Sequence, residues 1–228
     1  SRIVSARSAA EIPVVIPAKP LDRALSRLGG VLAPSARLAV QIAMLTDVIR
    51  AGVGFSDEVI VVSGDQQVAQ IAADCGARVV ADQVPAAGIN VAVARGVCAL
   101  ADEEVMVVMG DLPLATSTDL QALVAALGRR QGIACAVSAD GTGTNAMYLR
   151  PPGVIDTAFG TNSLMRHLAL AEQAGVAGIA AVVRGLQRDI DTPDDLAALV
   201  RSGHDCATAR VCDALGVFES FSATVARQ

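Results

Sequence analysis

Short apolar runs alternate with longer amphipathic ones along the first half of the chain, and this alternation limits the fold more than any other feature. Val14 to Ile16, Val59 to Val62, Arg78 to Ala81 and Val105 to Met109 read as strands, too short to be helices. Between them, Arg37 to Ala51, Gln67 to Cys75 and Asn90 to Leu100 read as helices, and Thr118 to Leu127 as a fourth; the first places Leu38, Ile42, Leu45 and Ile49 on one face. A β-α-β-α rhythm with near-continuously apolar strands implies a parallel sheet covered by helices on both faces. The expected class is α/β: a mostly parallel mixed sheet with flanking helices, Rossmann-like.

The rhythm then changes. Ile133 to Val137 and Ala146 to Leu149 look like two strands joined by a glycine-containing turn, and a helix follows at Ser163 to Gln173. An apolar stretch at Ile179 to Val183 precedes Asp189-Ile190-Asp191-Thr192-Pro193-Asp194-Asp195. Thr192 suits an N-cap, Pro193 the first helical position and Asp195 the acid of a capping box, so a helix should run to about Val200. After Ser202 the pattern weakens. The expected division is a polar extension over residues 1–11, one domain over 12–202, and a tail over 203–228 that is either a peripheral helix or mobile.

Composition narrows the function classes. With no Trp, one Tyr and four Phe among 228 residues, the core must be aliphatic. A formal charge of −5 argues against a nucleic-acid surface, which needs clustered Lys and Arg. No apolar run approaches the roughly 20 residues of a membrane span, and the polar first eleven residues lack the apolar middle of a signal peptide. Cys75, Cys98, Cys135, Cys206 and Cys212 are scattered and lack zinc-site partners, which fits reduced thiols in the cytoplasm.

Ligands of open α/β sheets bind beyond the carboxyl ends of the strands. The first strand is followed there by Lys19, Arg23 and Arg27, a set that suits phosphates, although a solvated loop has the same composition. The loop lacks the GxxxxGK[ST] pattern of a P-loop. Asp111 follows a wholly apolar strand, where an acid is costly unless it meets a cation. Asp189 and Asp191, two apart in an extended segment, share a face and repel unless a divalent ion lies between them; magnesium suits such oxygen ligands. Both acids could instead serve the next helix, but Thr192, Asp194 and Asp195 already do so. The Gly141 to Asn145 turn can aim N–H groups at an anion or be an ordinary hairpin turn. Gly160 to Ser163 leads into a helix with Arg166 nearby, a place for a phosphate or carboxylate, or a plain cap. Gly88, Asn90 and Ser63 are weaker candidates for contact with a nucleotide, and His167 reads as structural.

Taken in order, VVIPAKPLDRALSRL, AMLTDVI, GDLPL, GTGTNAMYLRPP, FGTNSLMRH and RDIDTPDDL resemble the phospholactate, phosphoenolpyruvate and phosphoglycerate guanylyltransferases of coenzyme F-420 biosynthesis. These are nucleotidyltransferases with a glycosyltransferase-A-like fold. The resemblance spans about Val14 to Leu199. It implies attack by the phosphate of phosphoenolpyruvate, 2-phospho-L-lactate or 3-phospho-D-glycerate on the α-phosphorus of GTP, with pyrophosphate leaving. It also implies magnesium on Asp111, Asp189 and Asp191, and an acceptor held by Lys19, Thr144, Gly160 and Ser163. Arg27 would face the triphosphate, and Gly88 and Asn90 would lie near the nucleoside. The product would pass to the downstream deazaflavin transferase; the oligomeric state, a homodimer included, stays open. The chain departs from the family at Leu25, where a Lys is usual; Arg23 could supply the missing charge. A different acceptor, or a non-catalytic nucleotide-binding relative, remain the competing readings.

Overall fold

The computed structural model describes residues 11–21, 25–82, 88–100 and 103–217. Arg23, residues 1–10 of the N-terminal extension and residues 218–228 of the tail lie outside the described residues. Seven strands form one sheet: β1 (Val14–Pro17), β2 (Val59–Ser63), β3 (Arg78–Ala81), β4 (Val105–Val108), β5 (Gly132–Val137), β6 (Thr144–Arg150) and β7 (Ala177–Ala181). Seven α-helices accompany them among the described residues: α1 (Pro34–Val53), α2 (Gln66–Asp74), α3 (Ile89–Cys98), α4 (Ser117–Leu127), α5 (Ser163–Gln173), α6 (Pro193–Arg201) and α7 (Ala207–Ala214).

The strand order is β3-β2-β1-β4-β6-β5-β7. Every neighbouring pair is parallel except those involving β6, which runs antiparallel to both β4 and β5. The expected mostly parallel mixed sheet is therefore observed. Alternation along each strand divides the core. Val14, Ile16, Met106 and Val108 face one layer, which contains residues of α1, α2 and α4. Val15, Val105 and Val107 face the other, beneath α3 and α5. The order reverses at β1, which has β2 on one side and β4 on the other, and the crevice above that reversal is where an open sheet takes its ligand.

Two glycines permit close approaches. A Cβ on Gly96 of α3 would sit 2.4 Å from a Val15 methyl, so α3 lies directly on the sheet. A Cβ on Gly132, where φ is +140°, would sit 2.0 Å from the Ala177 carbonyl oxygen.

A third apolar cluster joins Leu25, Leu28, Val40 and Met44 to Ile190, Leu196, Leu199 and Cys212. It packs α6 and α7 against α1 and the short 3₁₀ turn at Ser26–Gly30. The Asp47 carboxylate on α1 accepts from Ala207 N–H, Thr208 N–H and the Thr208 hydroxyl at 2.7–2.9 Å, which caps α7 from outside. Asp47→Ala should cost about 1–2 kcal/mol, because it removes a cap and leaves the buried Thr208 hydroxyl unmatched. A lowered urea midpoint with an unchanged slope would be the readout.

Candidate active site

The acids cluster. β4 ends at Val108, and the chain turns through Gly110 to Asp111, whose backbone carbonyl accepts from Ile190 N–H at 3.0 Å. Ile190 is buried in the third apolar cluster, so its neighbours Asp189 and Asp191 project the other way. One carboxylate oxygen from each of Asp111, Asp189 and Asp191 lies within 4.8 Å of the others. Capping of α6 falls to Thr192 and Asp195, which form a complete capping box. Asp195 also accepts from Asp191 N–H at 3.3 Å, which holds the segment but leaves both flanking carboxylates to the cluster.

Electrostatics set this cluster apart. Burial, then the charges of Asp189 and Asp191, push the Asp111 carboxyl up to about 6, while Lys19 acts in the opposite sense. Asp189 is raised too, by burial first and then by its acidic neighbours. Three converging carboxylates with no nitrogen or sulfur donor fit a hard divalent cation such as magnesium.

The cluster opens into a cavity of ≈ 470 Å³, whose lining includes Lys19, Arg27, Gly88, Asp111 and Asp191. Lys19 is exposed, and Arg27 lies 3.3 Å from Asp191 with both side chains largely in solvent. Such a pair contributes little to stability. It leaves a movable guanidinium beside the acids. Leu25, in a left-handed conformation with φ 52°, borders the same cavity and turns its side chain into the third apolar cluster.

The other candidate residues are placed differently. Thr144, Gly160, Ser163, Arg166, Asn90 and Ser63 are not among the cavity's lining residues. The Ser163 hydroxyl accepts from Thr144 N–H at 2.8 Å, and the Thr144 hydroxyl lies 3.0 Å from His167 Nδ1. Gly160 is exposed at φ +121°, and Arg166 is exposed on α5. The Asn90 amide pairs with both backbone groups of Phe159, accepting at 2.8 Å and donating at 3.1 Å. It thereby ties α3 to the segment before Gly160 rather than standing open to a nucleoside. The Ser63 hydroxyl is buried and accepts from Asp65 N–H. In the Gly141 to Asn145 turn, the N–H groups of Gly141, Thr142, Gly143 and Thr144 all bond within the fold. That turn does not offer these groups to an anion, because Asp140 and Ser138 fold it back on itself. The hydroxyls and amide that do so hold Asp140 down at about 2.

His167 is structural, as its isolation in the sequence suggests. Fully buried, it accepts from Ala158 N–H at its Nε2, which leaves Nδ1 as the protonated nitrogen facing Thr144. Burial, assisted by Arg166, pushes it down to about 4. The neutral ring is therefore favoured by folding. This contribution is fully present above about pH 6.5 and is lost as pH falls through about 4, a difference on the order of 3 kcal/mol. Asp111 shifts stability the opposite way over this range, so the readout is the difference between the native chain and His167→Gln in urea unfolding, which should move by about that amount between pH 7 and pH 4.5.

Three residues have positioning roles whose long-range part carries no local signal. Asn145 donates to the carbonyls of Leu186 and Gln187 at 3.0 Å and so seats the segment that leads into Asp189. Asp65 caps α2 and also accepts from Leu21 N–H at 2.9 Å, anchoring the loop that bears Lys19. Asp82, just past β3, lines the cavity and pairs with Arg95 of α3. Their partners are distant in sequence, so no spacing rule reaches them.

The chain resembles proteins of known type over most of its length. It is 40% identical over 195 residues to a phosphoenolpyruvate guanylyltransferase of Sphaerobacter thermophilus, covering 83% of this chain and 92% of that protein. It is 36% identical over 197 residues to a phosphoenolpyruvate guanylyltransferase of Conexibacter woesei, covering 81% and 85%. A solved structure from Desulfovibrio desulfuricans, named for nucleotide-diphospho-sugar transfer, shares the fold with a TM-score of 0.71 at 16% identity, covering 92% of this chain and 98% of that one. The family described as "Guanylyl transferase CofC like" matches residues 12–228, a span that takes in the acid cluster, both cavity cations and α7. With that match and these relatives, the chain belongs to the CofC-like guanylyl transferase family.

Proposed function

We propose that this chain transfers GMP from GTP to the phosphate of a small phosphorylated three-carbon acid, with phosphoenolpyruvate the first acceptor to test. The observation that carries the reading is the convergence of Asp111, Asp189 and Asp191 within 4.8 Å, beside a cavity lined by Asp111, Asp191, Lys19 and Arg27. An acceptor phosphate oxygen bonds to the α-phosphorus of GTP as the bond to the bridging oxygen of the β-phosphate breaks, and pyrophosphate leaves. Magnesium held by the three carboxylates would neutralise charge on the α-phosphate and orient it. Lys19 and Arg27 place cations where the triphosphate and the departing pyrophosphate develop charge. No serine, threonine, cysteine or histidine lines the cavity among the described residues, which favours direct transfer without a hydroxyl, thiol or imidazole nucleophile. The GMP-capped product suits immediate use by the downstream deazaflavin transferase of coenzyme F-420 biosynthesis.

The experiment mixes purified protein, magnesium and GTP with phosphoenolpyruvate, 2-phospho-L-lactate or 3-phospho-D-glycerate in turn, in the presence of the downstream transferase, and follows pyrophosphate. Release with one acceptor, abolished by EDTA, supports the reading and names the substrate. Folded protein that binds GTP yet releases nothing with any of the three would overturn it for these acceptors.

A further inference from the structure

We infer that Asp82 reads the guanine base, accepting from its N1–H and its exocyclic 2-amino group, and so selects GTP over ATP. The inference rests on the guanylyl-transfer reading for what fills the cavity. Asp82 lies one residue past β3, and its backbone N–H donates to Ser63 C=O at 3.1 Å, so the end of the sheet fixes its position. Its side chain is 10% exposed, lines the cavity and is paired with Arg95. Arg95 sits beside Gly96, whose missing side chain lets α3 lie on β1 and β2, so the helix that carries Arg95 is held close against the sheet.

Location separates this acid from the three that cluster around Asp111. In the order β3-β2-β1-β4, three strand spacings separate the end of β3 from the end of β4. At about 4.8 Å each, they span about 14 Å, comparable to the distance from the α-phosphorus of a nucleotide to the far edge of its base. With the α-phosphate at Asp111, the base falls near Asp82. Ile89 and Ala92 of α3 supply apolar cavity wall at that end, suited to the face of a purine.

Chemistry then chooses the purine. A carboxylate outside the three-acid cluster would repel phosphates, and the cavity cations Lys19 and Arg27 stand with that cluster rather than with Asp82. A carboxylate at the base end requires hydrogen-bond donors. Guanine presents two adjacent ones, N1–H and 2-NH₂. Adenine presents an N1 lone pair, which a carboxylate repels. A carboxylate offers about four acceptor positions, so an ion pair and a base edge can share it.

The test measures binding of GTP, ITP and ATP by calorimetry in magnesium without acceptor, then kcat/KM for each nucleotide with phosphoenolpyruvate. ITP keeps N1–H and lacks only the 2-amino group. The native chain should prefer GTP over ITP by about 10-fold or more and bind ATP weaker still. Asp82→Asn should weaken GTP by about 10- to 100-fold and bring the GTP-to-ITP ratio close to one. Equal binding of GTP and ITP by the native chain would overturn the inference without any variant, so a poorly folding Asp82→Asn does not shelter it. Unchanged nucleotide ratios in a folded Asp82→Asn would overturn it as well. GTP selectivity in binding without turnover on any acceptor would instead count against the guanylyl-transfer reading alone.

Discussion

Asp111→Asn should lower turnover by about 10³-fold or more while making the metal-free chain more stable at neutral pH. The two effects share one cause. In the native chain, Asp111 is pushed up to about 6 by burial and by the charges of Asp189 and Asp191. Folding therefore favours its protonated form. That favourable contribution is fully present below about pH 4 and is lost as pH rises through about 6, so the ionised carboxylate is a burden on the order of 3 kcal/mol on the metal-free fold at pH 7.5. Asparagine keeps the shape and one carbonyl oxygen, drops the charge and relieves the repulsion. It also weakens the cation site, and with it the positioning of the α-phosphate. Urea unfolding in EDTA at pH 4 and pH 7.5, beside a pyrophosphate assay, checks both halves. Turnover within tenfold of the native chain would take Asp111 out of the metal role.

Gly132→Ala should cost about 3–5 kcal/mol, the largest stability effect expected of a single methyl group here. Gly132 opens β5 between β6 and β7, opposite Arg150 on one side and Ala177 on the other. At φ +140° a side chain is strained whatever the space, and the Cβ would also fall 2.0 Å from the Ala177 carbonyl oxygen. That neighbour is backbone and cannot rotate away. Relief requires moving β7 or the start of β5, which would break ladder bonds. For a chain of this length, the loss corresponds to roughly 8–15 °C in Tm. Gly141→Ala is the matched control: it shares a positive φ, 78°, but meets nothing within 4 Å, and should cost only about 1 kcal/mol. Equal losses from the two variants would show that backbone strain alone, and not the contact with β7, sets the cost.

What the sequence reveals depends on the range over which each feature is written. The capping box at Thr192 and Asp195 is local chemistry and is found where the spacing places it. The strands through β4 are apolar enough to read directly; Asp111 draws attention because it conflicts with the apolar strand before it, and Asp189 and Asp191 because two like charges share one face. The structure brings those three together. The direction of the Gly141 to Asn145 amides was not legible, because Asp140 and Ser138 decide it through side-chain bonds that compete with any ligand. Asn90 has the composition of a cap or a ligand contact, yet its partner is Phe159, on a different element. Asn145 and Asp82 were missed for the same reason: each acts on a segment that only tertiary folding brings near. The helix at Ala207–Ala214 is short, and it is held by the distant Asp47 and by Cys212 in the third apolar cluster.

The single backbone bond from Ile190 to Asp111 carries a consequence for when the site comes into being. The two acidic segments are far apart in sequence, and neither alone gathers three carboxylates. They meet only after β4 is seated in the sheet and the approach to α6 has docked through Ile190, so the site belongs to the late, long-range part of folding. If the three carboxylates hold a divalent cation as proposed, the unfolded chain has little affinity for it, unlike a chain whose ligands sit in one continuous loop. Mass action would then operate at full strength: each tenfold excess of such a cation over its dissociation constant would add about 1.4 kcal/mol to the folded state, with nothing given back by the unfolded one.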